Sequence, residues 1–376
     1  MNPANQHLAL TASIVFCFGL AACTAAAAHG NDADGDADDA VAFVQTNLDS
    51  NVAGQAKVTD SNLTNAWGLA FAPGNPFWVN ANHSGVSTLY LGDGTVVPLV
   101  VTIPGPKGSP SGFVSAPTGM IWNPTTGFLV PGSQLPAAFI FDTEDGTISA
   151  WSFKADATHA VIAVDNSESG AVYKGLAFGT NSKGNHIYAT NFFAGTIEVF
   201  DSQFNPAKTS GNFTDSHVPA GYAPFGIQNI DGDLWVTYAK QDALKHDDAG
   251  GPGRGFVDVF DTDGHLLRRF AEHGVLNSPW GLARAPYGFG QFSGDILVGN
   301  FKDGRINAFD ARGNFRGALK RRDERVISID GLWALEFGGG AKSSPESLFF
   351  TAGPNGENDG LFGVINATPR KSDHED

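Results

Sequence analysis

Cysteine is nearly missing from this chain. Its 376 residues include two, Cys17 and Cys23, and both lie in an apolar leader. The body that follows has none, which excludes disulfides and thiolate metal sites there. Positive charge is also scarce: 23 Lys and Arg stand against 39 Asp and Glu, for a formal charge of −16. That balance argues against nucleic acid or an anionic membrane as partner. Leu8 to Leu20 is apolar but too short to cross a bilayer, so no transmembrane span is expected. There is no Gly-x-Ser-x-Gly, no His-Glu-x-x-His, no phosphate-binding Gly loop and no Cys/His cluster. No segment of useful length has helical period. Stability must come from a large core, which 42% hydrophobic residues and 29 Phe can supply.

Glycine, by contrast, is abundant and regularly placed. Gly68, Gly119, Gly175, Gly226, Gly281 and Gly331 recur at steps of 51, 56, 51, 55 and 50 residues. An aliphatic residue follows each: Leu69, Met120, Leu176, Ile227, Leu282 and Leu332. A second series runs in phase, with turn glycines at 85, 146, 195, 255, 304 and 360. Alternating strands follow these turns, as in Thr196-Ile197-Glu198-Val199-Phe200, and apolar runs such as Leu234-Trp235-Val236 precede them. A β-rich unit repeating near 50 residues is a propeller blade. The expected fold is all-β: a six-bladed β-propeller of four-stranded blades. The sixth repeat lacks an outer strand of its own. Val41 to Leu48 alternates like a strand and is expected to supply it, closing the ring and covering exposed edges.

The division expected along the chain is an export signal over 1–28, an acidic linker over 29–40, the propeller over 41–366 and a disordered tail over 367–376. Leu20-Ala21-Ala22-Cys23 is similar to a lipobox, and Ala26-Ala27-Ala28 offers an ordinary cleavage site. Cys23 is therefore either lipidated or removed. Both routes place the body outside the cytoplasm, as a periplasmic, secreted or lipid-anchored protein, expected to be a monomer.

In a propeller, the residues before the repeat glycines ring the mouth of the central channel. Here these are Trp67, Thr118, Lys174, Phe225, Trp280 and Asp330. Either the aromatics plug the channel as core and Lys174 meets a carboxylate, or Trp67, Lys174, Phe225, Trp280 and Asp330 are ligand-binding residues: three aromatics with one cation and one anion, suited to a sugar or small polar ligand. The second-to-third strand connections add Asn80, Asn82, His83, Glu144, Asp145, Asn191, Lys240, Gln241, Asp242, Asn300, Asn355 and Glu357. Oxygen ligands drawn from Asn191, Asp242, Asn300, Asp330 and Glu357 would suit Ca²⁺ or another divalent cation. Asn in such turns also serves its own backbone. Repeats two, four and six are longest from repeat glycine to turn glycine, at 27, 29 and 29 residues against 17, 20 and 23. Loops of alternate blades are thus expected over the channel mouth. One carries His246, Asp247 and Asp248, which are either metal ligands or solvated.

Asn65-Ala66-Trp67-Gly68-Leu69-Ala70, Tyr173-Lys174-Gly175-Leu176-Ala177, Thr237-Tyr238-Ala239-Lys240-Gln241-Asp242, Leu276-Asn277-Ser278-Pro279-Trp280-Gly281-Leu282 and Ile329-Asp330-Gly331-Leu332-Trp333 resemble an uncharacterised family of exported bacterial propeller proteins. Some of its members carry a C-terminal PEP-CTERM sorting signal, which is not found here. The resemblance spans nearly all of the mature chain and implies a six-bladed propeller. More distantly the chain is similar to NHL-repeat and gluconolactonase-like propellers. The latter are metal-dependent hydrolases with acidic and amide ligands before repeat glycines, including a first-blade Glu. Here that position is Trp67, and only Asp330 fits the pattern, which counts against lactonase chemistry. The expected function is a non-catalytic module binding a small molecule, glycan or envelope protein through its loop-rich face. The alternatives are a metal-dependent hydrolase and a structural envelope module.

Overall fold

A computed structural model describes residues 41–369. The expected export signal with Cys17 and Cys23, the expected acidic linker and the last seven residues lie outside the described residues. Six antiparallel sheets follow one another along the chain. Their inner strands are Ala66–Phe71, Pro117–Trp122, Tyr173–Asn181, Tyr222–Ile230, Pro279–Arg284 and Leu332–Phe337, and each packs on the next around a ring. No α-helix occurs among the described residues, and no helix is long and apolar enough to cross a membrane. The all-β six-bladed propeller expected from the glycine period is the architecture observed.

The repeat glycines exist because the inner strands nearly touch. A Cβ on Gly68 would lie inside van der Waals contact of the Thr118 carbonyl oxygen in the next blade. On Gly226 it would strike the Trp280 carbonyl oxygen, and on Gly281 it would come within 2.5 Å of the Trp333 carbonyl oxygen. Side chains from the second strands then take up the facing carbonyls. Asn80 Nδ2 donates to Thr118 O at 3.0 Å, and Thr190 Oγ1 donates to Phe225 O at 2.7 Å. These bonds join sheet to sheet where no ladder can form.

The register corrects the sixth repeat. Leu69 pairs with Val79 in blade one, and Leu335 holds the same place opposite Phe350 in blade six. The counterpart of Gly68 is therefore Ala334, three residues beyond Gly331. Gly331 serves another purpose, a turn at φ 66° against the Gly353 carbonyl.

Between blades the core is largely aromatic. Trp78 of blade one stacks on Phe139 of blade two at 4.3 Å and meets Trp151 at 4.7 Å. Such side chains bury large areas, and each well-placed ring pair adds about 0.5–1.5 kcal/mol beyond area burial.

The ring closes as expected. Val41–Ser50 runs antiparallel to Leu361–Pro369 as the fourth strand of blade six, with Val41 opposite Pro369. The last strand thus runs three residues past the expected boundary at 366. A short fifth strand, Val58–Thr59, pairs parallel to its outer side. Blade three departs from the four-strand expectation: it has three strands, ending with Thr196–Asp201. The chain then reaches Pro206, which has no N–H to donate, and makes only an isolated bridge between Phe200 and Pro206.

Buried carboxyls give the fold a pH dependence. Burial pushes Asp49, Asp142 and Glu336 up to about 7, and Asp258 up to about 6 against the pull of Arg269. Between the ordinary carboxyl range and pH 7 the folded chain therefore holds more protons than the unfolded one. Stability then falls as pH rises through that window. Calorimetry in metal-free buffer should give a lower Tm at pH 8 than at pH 5, and Asp142→Asn should flatten the slope. A Tm that climbs from pH 5 to pH 8 would contradict this.

Candidate functional site

The loops before the inner strands and those joining second to third strands share one face of the ring. On that face the channel is plugged. Trp67 and Trp333 stack with centroids 3.5 Å apart, and Phe301 stacks on Trp333 at 3.9 Å. Trp280 stands edge-on to both tryptophans, and Phe225 stands edge-on to Trp333. Trp67, Phe225 and Trp333 are at most 2% exposed. The rim of accessible aromatics expected at Trp67 and Phe225 is thus a packed plug. Trp280 is partly buried, and its Nε1 donates to the Lys174 carbonyl at 2.9 Å. Beneath the plug is a cavity of about 30 Å³, bordered by Met120, Leu176, Leu282 and Leu335. It is large enough for a water or two. Gln228 donates to Glu336 across it at 3.1 Å.

The sixth ring position belongs to Trp333, and Asp330 lies elsewhere. Asp330 sits on an exposed turn, where Oδ2 accepts the Asn355 N–H at 2.8 Å. Lys174 and Asp330, placed at facing ring positions by the repeat count, do not share the channel mouth; Lys174 meets Glu144 and Asp247 instead. Trp333-Ala334-Leu335 echoes Trp67-Gly68-Leu69 and Trp280-Gly281-Leu282, a signal that a strict search for glycine passes over.

Of the candidate cation ligands, Asn191 and Asn300 are spent on their own turns. Asn191 Oδ1 accepts the Ala194 N–H, and Asn300 Oδ1 accepts the Asn277 N–H, both at 3.1 Å. Asp242 caps its loop by accepting the His246 N–H at 3.0 Å. Glu357 alone of this set joins a shared polar network.

That network surrounds Lys174. Its side chain is 1% exposed and its ammonium donates to Glu144 Oε1 and, at 3.1 Å, to Asp247 Oδ1. The same Nζ lies 5.2 Å from the Trp67 ring centroid, within cation–π range. Burial alone would push the ammonium down, but the two carboxylates outweigh it and hold Lys174 above its ordinary value. Glu144 also accepts from Asn82 Nδ2 at 3.0 Å. Asn82 Oδ1 accepts in turn from Asn65, whose amide also donates to Glu357 Oε2 at 2.9 Å. Burial, then the nearby Glu144 charge, raises Glu357. On the solvent side His246 Nδ1 lies 3.1 Å from Asp247 Oδ1. That bond raises His246 and, with Lys174 behind it, holds Asp247 far below the usual carboxylate range. Glu144, His246 and Asp247 bring ligand atoms within 4.8 Å of one another, a group able to hold a metal ion.

The long loops of blades four and six reach this face as expected, but the extra length of blade two lies in 123–138, between its first and second strands at the other end of the sheet, and Glu144 sits on a tight hairpin instead. Glu144 comes from blade two, Asp247 and His246 from blade four, and Glu357 from blade six. Asp248, expected beside them, instead pairs with Lys302 at 3.2 Å and accepts from Ser278. His246 and Asp247 are candidates from their loop alone; that Glu144 of another blade joins them escapes sequence reading, because only the fold brings the two loops to Lys174.

Fold and site together define a six-bladed propeller with a plugged channel and a charged cluster on its loop-rich face. Solved structures share the fold. Virginiamycin B lyase from Staphylococcus aureus with quinupristin aligns over 87% of this chain and 99% of that one, at 13% identity and a TM-score of 0.52. The PQQ-bound aldose sugar dehydrogenase of Streptomyces coelicolor aligns over 88% and 99%, at 14% identity and a TM-score of 0.50. No protein-family model matches the chain. Among curated proteins, an uncharacterised protein of Acanthamoeba polyphaga mimivirus is 33% identical over 327 residues, which is 85% of this chain and 78% of that one. A second from the same virus is 32% identical over 315 residues, 81% of each chain. The chain belongs to the family of these uncharacterised mimivirus proteins.

Proposed function

We propose that this propeller is a non-catalytic binding module whose loop-rich face receives a cationic group of a small ligand, glycan or protein partner. One observation carries the reading: a wholly buried lysine is clamped by Glu144 and Asp247 from separate blades, with Glu357 tied in from a third. Two carboxylates thus contact one ammonium, a third joins through Asn65, and Lys174 is too deep to meet a ligand itself. What a ligand meets is His246, Asp247 and the surplus negative charge. Exposed Phe113, Val114, Phe193 and Leu244 lie on loops of the same face and add apolar contact. The leader and the cysteine-free body support an extracytoplasmic setting for this module.

Tryptophan emission tests it, because Trp67 lies against Lys174. Titration with a lysine-rich peptide should shift the emission and saturate, and 0.5 M salt should weaken the response. Asp247→Asn should weaken binding about tenfold, the worth of one good charged hydrogen bond. If neither the peptide nor amino sugars perturb the emission, the reading fails and a structural envelope module stands in its place.

A second reading, a metal-dependent hydrolase, draws on the Glu144, His246 and Asp247 grouping. Against it, the Lys174 ammonium already contacts both carboxylates, and a divalent ion there would be repelled at close range. Elemental analysis of dialysed protein decides the matter: an equimolar metal lost in Glu144→Gln would favour the hydrolase.

A further inference from the structure

The seam where the ring closes holds a second acidic group, centred on Asp49. Asp49 belongs to the closing strand, at a bulge that leaves Leu48 out of register with the final strand. Its residue is 0% exposed, and neither carboxylate oxygen has a hydrogen-bond partner. A fully buried carboxylate with no donor to either oxygen points to a group the polypeptide does not supply.

Its surroundings indicate the sign of that group. Asp60 and Asp93 both act on Asp49 as like charges. Asp60 follows the short parallel strand and accepts the Tyr90 hydroxyl at 2.8 Å. Asp93 sits on the hairpin turn of blade one, paired with Lys342 at 2.8 Å. Lys57 is the cation that acts on Asp49, yet it forms no ion pair with it among the described residues. The site also has a small cradle. Asp49 Oδ2 and the Leu48 carbonyl both face Gly94, 3.4 and 3.5 Å from where a Cβ would stand. Gly94 has φ 89°, so the turn keeps that space free of a side chain.

We propose that a hard cation of the Ca²⁺ type binds at Asp49, with Asp60 and the Leu48 carbonyl as further oxygen ligands, and clasps blade six to blade one. Carboxylates from separate segments plus a main-chain carbonyl are the donors Ca²⁺ prefers, and its coordination tolerates irregular geometry. The clasp is independent of the channel-mouth cluster.

The test uses the full chain, stripped with chelator and titrated with CaCl₂ by calorimetry and thermal melting. One ion per chain is expected, with a Tm several degrees higher at about 100-fold excess over Kd. Asp49→Asn should abolish both responses, Asp60→Asn should weaken affinity at least tenfold, and Glu144→Gln should leave them unchanged. If Asp49→Asn does not fold, the wild-type and Asp60→Asn titrations decide. No calcium uptake by the wild type would overturn the proposal. So would calcium lost in Glu144→Gln but kept in Asp49→Asn. A Tm lowered by Lys57→Met with no calcium response would assign the missing charge to Lys57 and overturn it as well.

Discussion

Gly226→Ala should lower stability by about 3 kcal/mol, the upper part of the range for overpacking a tight core. The added methyl meets the Trp280 carbonyl of the next blade, with the Trp280 carbonyl carbon at 2.9 Å and Thr237 Oγ1 at 3.1 Å beyond it. These are backbone atoms and a threonine already committed to the Gly226 amide at 2.8 Å. Relief requires shifting one blade against another, and a closed ring passes that shift to every seam. Ala334→Gly is the matched control, because Ala334 holds the equivalent place in blade six. It should cost about 0.5–1 kcal/mol, the ordinary price of a glycine in a strand. Chemical denaturation of both variants checks the contrast. Equal losses would show that inner-strand proximity is not what demands glycine.

Lys174→Met should be comparably damaging, for an electrostatic reason. It leaves Glu144, whose side chain is 11% exposed, without its main counter-charge above an apolar plug. Breaking a buried pair from one side costs about 3–5 kcal/mol. Asp247 is 65% exposed and adds little to that loss, since water screens it. The double variant Lys174→Met, Glu144→Gln should recover much of the stability while staying unable to position Asp247. A single variant as stable as the parent would mean that Glu144 finds water or another donor, and the cluster would lose its rationale as a pre-organised site. Melting curves of the parent, both singles and the double form the cycle that separates these outcomes.

The propeller could be read from sequence because its glycines answer a geometric demand repeated at five seams. The sixth seam uses alanine, so a search for Gly-aliphatic settled on Gly331-Leu332 and slipped by three residues. The slip carried Asp330 into the channel ring and left Trp333 out. The pairing of Leu335 with Phe350 corrects both at once. The site was legible only in part. Lys174 stood out as a charge at a ring position, and uneven repeat lengths pointed correctly to the loops of blades four and six, whereas the extra length of blade two lies away from Glu144, in 123–138. That Glu144 and Asp247 both reach its ammonium depends on loop paths no local pattern encodes. Asn191 and Asn300 show the opposite limit: their recurrence comes from turn chemistry, which resembles a ligand set when only spacing is visible.

The closing strand has a consequence for how the chain reaches this shape. Val41 pairs with Pro369, so the earliest described strand finds its partner only when the latest one exists. Five blades can form as the chain lengthens, but the sixth waits for synthesis to finish. Until then Val41–Ser50 is an unsatisfied edge and blade one has an uncovered flank. Such long-range closure is slow, because the loop entropy is lost before the contacts form. Joining the two strands through a short linker and opening the chain between other blades should therefore speed folding without altering the native ring.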